Sequence, residues 1–186
     1  MAIDLKNNIA NVLTIIRMLM LPVMVYLFYQ EEAWGPSAIW ACFWLYVIAA
    51  ITDYLDGYLA RKFKQTSDFG TFLDPISDKI MVAVVLVMLI ATDRVEMCGI
   101  VLTLIIFTRE FLVSGLREYM GPKNIKVPVM KLAKWKTTVQ MLSCGVLILS
   151  GLVPFAYEGG MALLLIATVL TVVTGWKYLT VGFANM

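Results

Sequence analysis

Four aspartates, Asp53, Asp56, Asp74 and Asp78, fall within the stretch TDYLDGYLARKFKQTSDFGTFLDPISDK, which runs from Thr52 to Lys79 between apolar runs long enough to cross a bilayer. On a helix, Asp53 and Asp56 are three residues apart and share a face, separated by about 4.5 Å along the axis. Asp74 and Asp78 are four apart and share a face of the next helix. The connection around Lys64–Ser67 is short, which predicts antiparallel neighbours and lets the four carboxylates converge. Four unbalanced negative charges in a partly dry site repel strongly, so protons or cations must sit among them. The chain has no histidine, which removes imidazole both as a base and as a ligand. Oxygen-only ligands suit a hard divalent ion, Mg2+ or Mn2+, and Mg2+ commonly completes its shell with substrate phosphate oxygens. The competing reading, solvated helix ends, leaves four aspartates at a membrane edge with no gain in stability. Gly57 and Gly70 cost about 1 kcal/mol each relative to alanine. With Ala60, they imply either close approach of a ligand or tight helix packing. Pro75 removes one helical hydrogen bond and should bend its helix beside the carboxylates.

A second group is basic. TREFLVSGLREYMG (Thr108–Gly121) carries Arg109, Glu110 and Arg117, and KLAKWKTTVQ (Lys131–Gln140) carries Lys131, Lys134 and Lys136. Clustered arginine and lysine suit a phosphate dianion, so a small molecule handled here carries its own phosphate. The alternatives are lysines that snorkel to the interface and meet anionic headgroups, and an Arg109 that pairs with Glu110 in the interior.

The elements that must hold these residues are hydrophobic. The chain of 186 residues is 61% hydrophobic and only 15% charged, against about 45–50% and about 25% in an ordinary soluble domain. The expected fold is an all-α integral membrane bundle of six transmembrane helices forming one domain, 1–186. The spans are expected at Asn8–Tyr29, Ser37–Phe63, Asp68–Thr92, Glu96–Met120, Val129–Val153 and Tyr157–Val181. The first is expected to be retained rather than cleaved as a leader, because Arg17 interrupts it and no small-residue cleavage site follows. Cys42, Cys98 and Cys144 lie in separate apolar runs with neither disulfide nor metal spacing, and read as small buried residues. Net charge is only +2, but its distribution is informative. Lys6, then Arg61, Lys62 and Lys64, then Lys123 and Lys126 mark one side; Arg94 is the sole basic residue among Glu31, Glu32, Asp93, Glu96 and Glu158 on the other. The excess of positive charge places both termini and the aspartate stretch on the cytoplasmic side.

The pattern Asp53-x2-Asp56-Gly57-x2-Ala60-Arg61-x8-Gly70-x3-Asp74-x3-Asp78 resembles the signature of the CDP-alcohol phosphotransferase family. The resemblance implies a six-span membrane enzyme, usually a homodimer, in which an alcohol attacks the β-phosphorus of a CDP-linked donor and CMP leaves. It implies that Asp53, Asp56 and Asp74 hold two divalent ions, Mg2+ or Mn2+. Asp78 would be both ligand and base, and Gly57, Ala60, Arg61 and Gly70 would cradle the nucleotide. Arg109-Glu110, Ser114, Arg117, Lys134, Lys136-Thr137 and Gln140 resemble the branch of the family whose acceptor is sn-glycerol 3-phosphate; Ala133 stands where that pattern has glycine. Asn11, Thr14, Arg17 and Pro22 are similar to its opening helix. This branch implies CDP-diacylglycerol as the donor and an acceptor-phosphate site at Arg109, Arg117, Lys134 and Lys136, with Arg17 as a further member. The implied partners are the cytoplasmic membrane, a lipid donor entering sideways from the cytoplasmic leaflet, and a small phosphorylated alcohol, not nucleic acid. Two rivals remain at this stage: a sibling enzyme with another acceptor such as inositol phosphate, and a divalent-cation transporter. The apolar outer halves of the second and third segments argue against a transport path.

Overall fold

The computed structural model describes residues 9–63, 68–121 and 131–184; within these, the side chains of 9–11, 54–63, 68–75, 78, 131, 133, 181, 183 and 184 are outside the described set. The described residues form seven helices: α1 (Ile9–Tyr29), α2 (Glu31–Trp34), α3 (Pro36–Phe63), α4 (Asp68–Ala91), α5 (Met97–Met120), α6 (Lys131–Ile148) and α7 (Ala156–Ala184). Each of the six expected segments is therefore helical, and α2 is an addition. Among the described residues, four helices are long and apolar enough to cross a membrane, over Val12–Tyr29, Pro36–Asp53, Met97–Met120 and Ala156–Thr180. α4 contributes a shorter apolar stretch, Lys79–Ala91.

The chain divides into two units, Met1–Thr92 and Asp93–Met186. In the first, α1 packs against both α3 and α4. Its inner stripe is Thr14, Arg17, Leu21, Met24, Leu27 and Phe28, the spacing of three and four expected of one helix face. α3 meets it with Ala38, Ile39, Cys42, Tyr46 and Ala49, where the small side chains let the backbones approach closely. The outward face of α1 is Val12, Ile15, Ile16, Leu19 and Val23. Thr14 and Arg17 buried on the inner stripe, with an aliphatic face turned outward, depart from the order of a water-soluble helix; this is stable where lipid is the solvent. The threonines follow the same logic. Thr52, Thr92, Thr168 and Thr174 each donate their hydroxyl to the carbonyl four residues back, at 2.7–2.9 Å, and so carry no unmet donor into the apolar phase.

Gly35 makes the turn from α2 into α3 at φ 61°, ψ −151°, a region that side chains with a Cβ avoid. Nothing lies within 4 Å of a Cβ placed there, so any penalty comes from the backbone alone. Gly35→Ala is expected to cost about 1–3 kcal/mol, read as a fall of several degrees in the melting temperature in detergent; an unchanged value would show that the turn rearranges freely.

In the second unit, α7 packs against both α5 and α6. α7 carries glycines where it must come close: a Cβ at Gly160 would lie 2.6 Å from Leu147 Cγ, and one at Gly182 would lie 2.7 Å from Leu116 Cδ1. α6 ends at Ile148, short of the expected Val153, and the reason is a cap that comes from far along the chain. The Arg94 guanidinium, 9% exposed, donates to the carbonyls of Ile148 (2.9 Å) and Ser150. A cation at a helix C-terminus satisfies free carbonyls and meets the negative end of the dipole. Arg94, the lone basic residue on its side of the charge pattern, thus has a structural task. One expectation is corrected: Cys42 and Cys144 are buried, but Cys98 is exposed, because it stands in the first turn of α5, off the face that buries Gly99, Leu102, Thr103 and Ile106.

Candidate active site

Of the four signature aspartates, Asp53 has a described side chain. It sits near the C-terminal half of α3 and meets the inner stripe of α1: Arg17 Nη1 donates to Asp53 Oδ1 at 2.5 Å and to Ser77 Oγ of α4 at 3.1 Å. Arg17 is 2% exposed, so one guanidinium links three helices from inside the unit. The α1 periodicity forces this, because Arg17 falls on the same face as Thr14 and Leu21. Asp56, Gly57, Ala60, Arg61, Gly70, Asp74 and Asp78 have helical backbones in α3 and α4, and their side chains lie outside the described residues, as does the connection Lys64–Ser67. The convergence expected of these carboxylates lies outside the described residues.

The second unit brings together most of the basic group. Arg109 falls on the buried stripe of α5, between Ile106 and Val113. Its Nη1 donates to Glu110 Oε1 at 3.1 Å and its Nη2 to Thr174 Oγ1 of α7 at 3.0 Å. Lys136 of α6, 5% exposed, also donates to Glu110 Oε1. Arg117 Nη2 donates to the Tyr178 hydroxyl at 3.1 Å. The guanidinium carbons of Arg109 and Arg117 stand 5.7 and 5.0 Å from the Tyr178 ring centroid, within reach of a cation–π attraction. Gly175 makes room, because a Cβ there would come within 2.7 Å of Arg109 Cγ.

Arg109, Arg117 and Lys136 against Glu110 leave two positive charges in excess, the charge a phosphate dianion neutralises. Both alternatives raised for Arg109 are thus present in one cluster: it pairs with Glu110 and it belongs to a net cationic site. Lys134 stands apart. It is exposed, and two residues from Lys136 on a helix it points about 160° away.

Sequence reasoning missed Thr174 and Tyr178. The sixth segment reads as uniformly apolar, yet Thr171, Thr174, Gly175 and Tyr178 recur at spacings of three and four. All four are buried, so this polar stripe inside an apolar span was the available signal. Between α5 and α7 lies a groove of about 380 Å3 whose walls, apart from Thr108 and Arg109, are apolar, among them Leu104, Leu112, Val172 and Trp176.

Comparison with known proteins identifies the family. The sequence model of the CDP-alcohol phosphatidyltransferase family matches residues 7–174. A Rickettsia prowazekii protein named CDP-diacylglycerol–glycerol-3-phosphate 3-phosphatidyltransferase is 42% identical over 178 residues, covering 94% of each chain. Proteins of the same name from Haemophilus influenzae and Cereibacter sphaeroides are 39% and 37% identical, over 98% and 92% of this chain and 97% and 93% of their own.

Proposed function

We infer the reaction from one premise: the chain belongs to the CDP-alcohol phosphatidyltransferase family. Its activity is transfer of the phosphatidyl group of CDP-diacylglycerol to the hydroxyl of sn-glycerol 3-phosphate, giving phosphatidylglycerophosphate and CMP, in line with the names of its relatives. The observation that carries the acceptor is the surplus of positive charge where Arg109, Arg117 and Lys136 gather around Glu110 and Tyr178. A phosphorylated alcohol supplies the missing dianion; one without a phosphate would leave that positive charge, part of it on buried Lys136, unbalanced. Lys134, exposed nearby on α6, adds attraction on approach rather than a fixed contact.

Asp53, Asp56, Asp74 and Asp78 hold two divalent ions, Mg2+ or Mn2+. Asp53 fits such a group: it is a hard oxygen donor whose carboxylate already faces a cation, the Arg17 guanidinium. When bound, the ions neutralise the diphosphate and stabilise the charge that develops on departing CMP. Asp78 takes the proton from the acceptor hydroxyl as that oxygen bonds to phosphorus. Gly57, Ala60, Arg61 and Gly70 receive the nucleotide, the glycines through close backbone approach. Arg17 pairs with Asp53; its membership of the acceptor-phosphate group is proposed from the resemblance alone. The chain is one domain, 1–186, of six spans in the inner membrane, with both termini and the active site on the cytoplasmic side, and it works as a homodimer.

The test is CMP release by the purified protein in micelles containing CDP-diacylglycerol. Release is expected to need both Mg2+ and glycerol 3-phosphate, to stop with EDTA, and to fall at least tenfold with inositol phosphate as acceptor. Faster release with inositol phosphate would overturn the acceptor while leaving the family chemistry intact.

A further inference from the structure

Tyr178 is an unusual residue for its place. It is 1% exposed on an apolar helix, and a buried tyrosine normally places its hydroxyl against a partner that makes burial worthwhile. Here that partner is a cation. The Tyr178 oxygen accepts from Arg117, and among the described residues no acceptor takes the hydroxyl's own hydrogen. The ring also lies within 6 Å of both guanidinium carbons.

Arg109 and Arg117 are eight residues apart on α5, about 12 Å along the axis and about 80° around it. Left alone, two guanidiniums on one helix repel and spread apart. Tyr178 reaches them from a second helix and gives both a common negative surface, the ring face, with the hydroxyl oxygen fixing Arg117. We propose that Tyr178 is the positioning residue of the acceptor-phosphate site, holding Arg109 and Arg117 together so that one phosphate dianion meets both. The inference rests on the acceptor reading above and deepens it. Thr174 supports the arrangement by accepting from the other arm of Arg109 while donating its own hydrogen to Leu170 O at 2.7 Å.

Two substitutions separate the parts. Tyr178→Phe keeps the ring and removes the hydroxyl. Tyr178→Leu removes both. The apparent KM for glycerol 3-phosphate is expected to rise about tenfold in Tyr178→Phe, the effect of one hydrogen bond to a charged group, and roughly threefold further in Tyr178→Leu with loss of the ring. The KM for CDP-diacylglycerol and the kcat at saturating acceptor should stay within about twofold. If Tyr178 acts through Arg117, adding Tyr178→Phe to Arg117→Ala should change little more, the non-additivity of groups that share one interaction. A purely structural role would raise both KM values or lower kcat in step, and its effects would add to those of Arg117→Ala; either result overturns the proposal. Should Tyr178→Leu fail to fold, the Phe variant and the double substitution still decide the matter. A wild-type protein whose CMP release ignores glycerol 3-phosphate would refute the acceptor instead, and the same substitutions would then be read on the acceptor it does use.

Discussion

Asp78→Asn is expected to lower CMP release by about 10^3-fold, with the protein still inserted and monodisperse in detergent. A positioned base contributes about 10^2–10^4-fold, and asparagine keeps the size of aspartate while removing its capacity to take a proton. The asparagine also withdraws one anionic ligand from the proposed ion pair, so the apparent Mg2+ requirement should move to higher concentration in the same variant. The two effects are separable. If Asp78 were a ligand only, saturating Mg2+ would recover most of the rate; if it is also the base, the rate stays low at any Mg2+ concentration. Activity within tenfold of wild type would remove Asp78 from the chemistry and move the role of base to another of the signature carboxylates.

Arg17→Met has the largest expected effect on stability. Removing one member of a buried ion pair costs about 3–5 kcal/mol because the other is left uncompensated. The side chain of Asp53 is 26% exposed, so solvent relieves part of this and about 2–3 kcal/mol is expected. At roughly 2–4 °C per kcal/mol for a chain of this size, the melting temperature in detergent with EDTA should fall by roughly 5–10 °C. Ser77 loses a donor as well, and α1 loses its polar link to α3 and α4. Mg2+ should restore more of the melting temperature in Arg17→Met than it adds to wild type, since a divalent ion supplies Asp53 with the counter-charge that methionine lacks. Equal stabilisation by Mg2+ in both proteins would show that the guanidinium and the metal do not meet the same carboxylate. A companion measurement, the KM for glycerol 3-phosphate, reports how far Arg17 also serves the acceptor.

The charge pattern and the periodicities were readable along the chain because they are local. Aspartates three and four apart share a face on any helix. Apolar segments of span length announce themselves whatever surrounds them, and so the six helices lie close to their expected bounds. The exceptions were non-local. α6 stops at Ile148 because Arg94, 54 residues earlier, caps it; the apolar run through Val153 gave no sign of that.

The same division holds for chemistry. Residue types and spacing along the chain were enough to nominate the carboxylates on α3 and α4, the absence of imidazole chemistry, and a basic group suited to phosphate. They did not say which cations stand together. Arg17 meets Asp53 across 36 residues and Arg117 meets Tyr178 across 61, while Lys134, two residues from Lys136, faces elsewhere. Such pairings depend on how each helix is rotated about its axis and how closely its neighbours approach. Small residues such as Gly175 and Ala49 set those quantities jointly with partners on other helices, and no pattern within one segment encodes them.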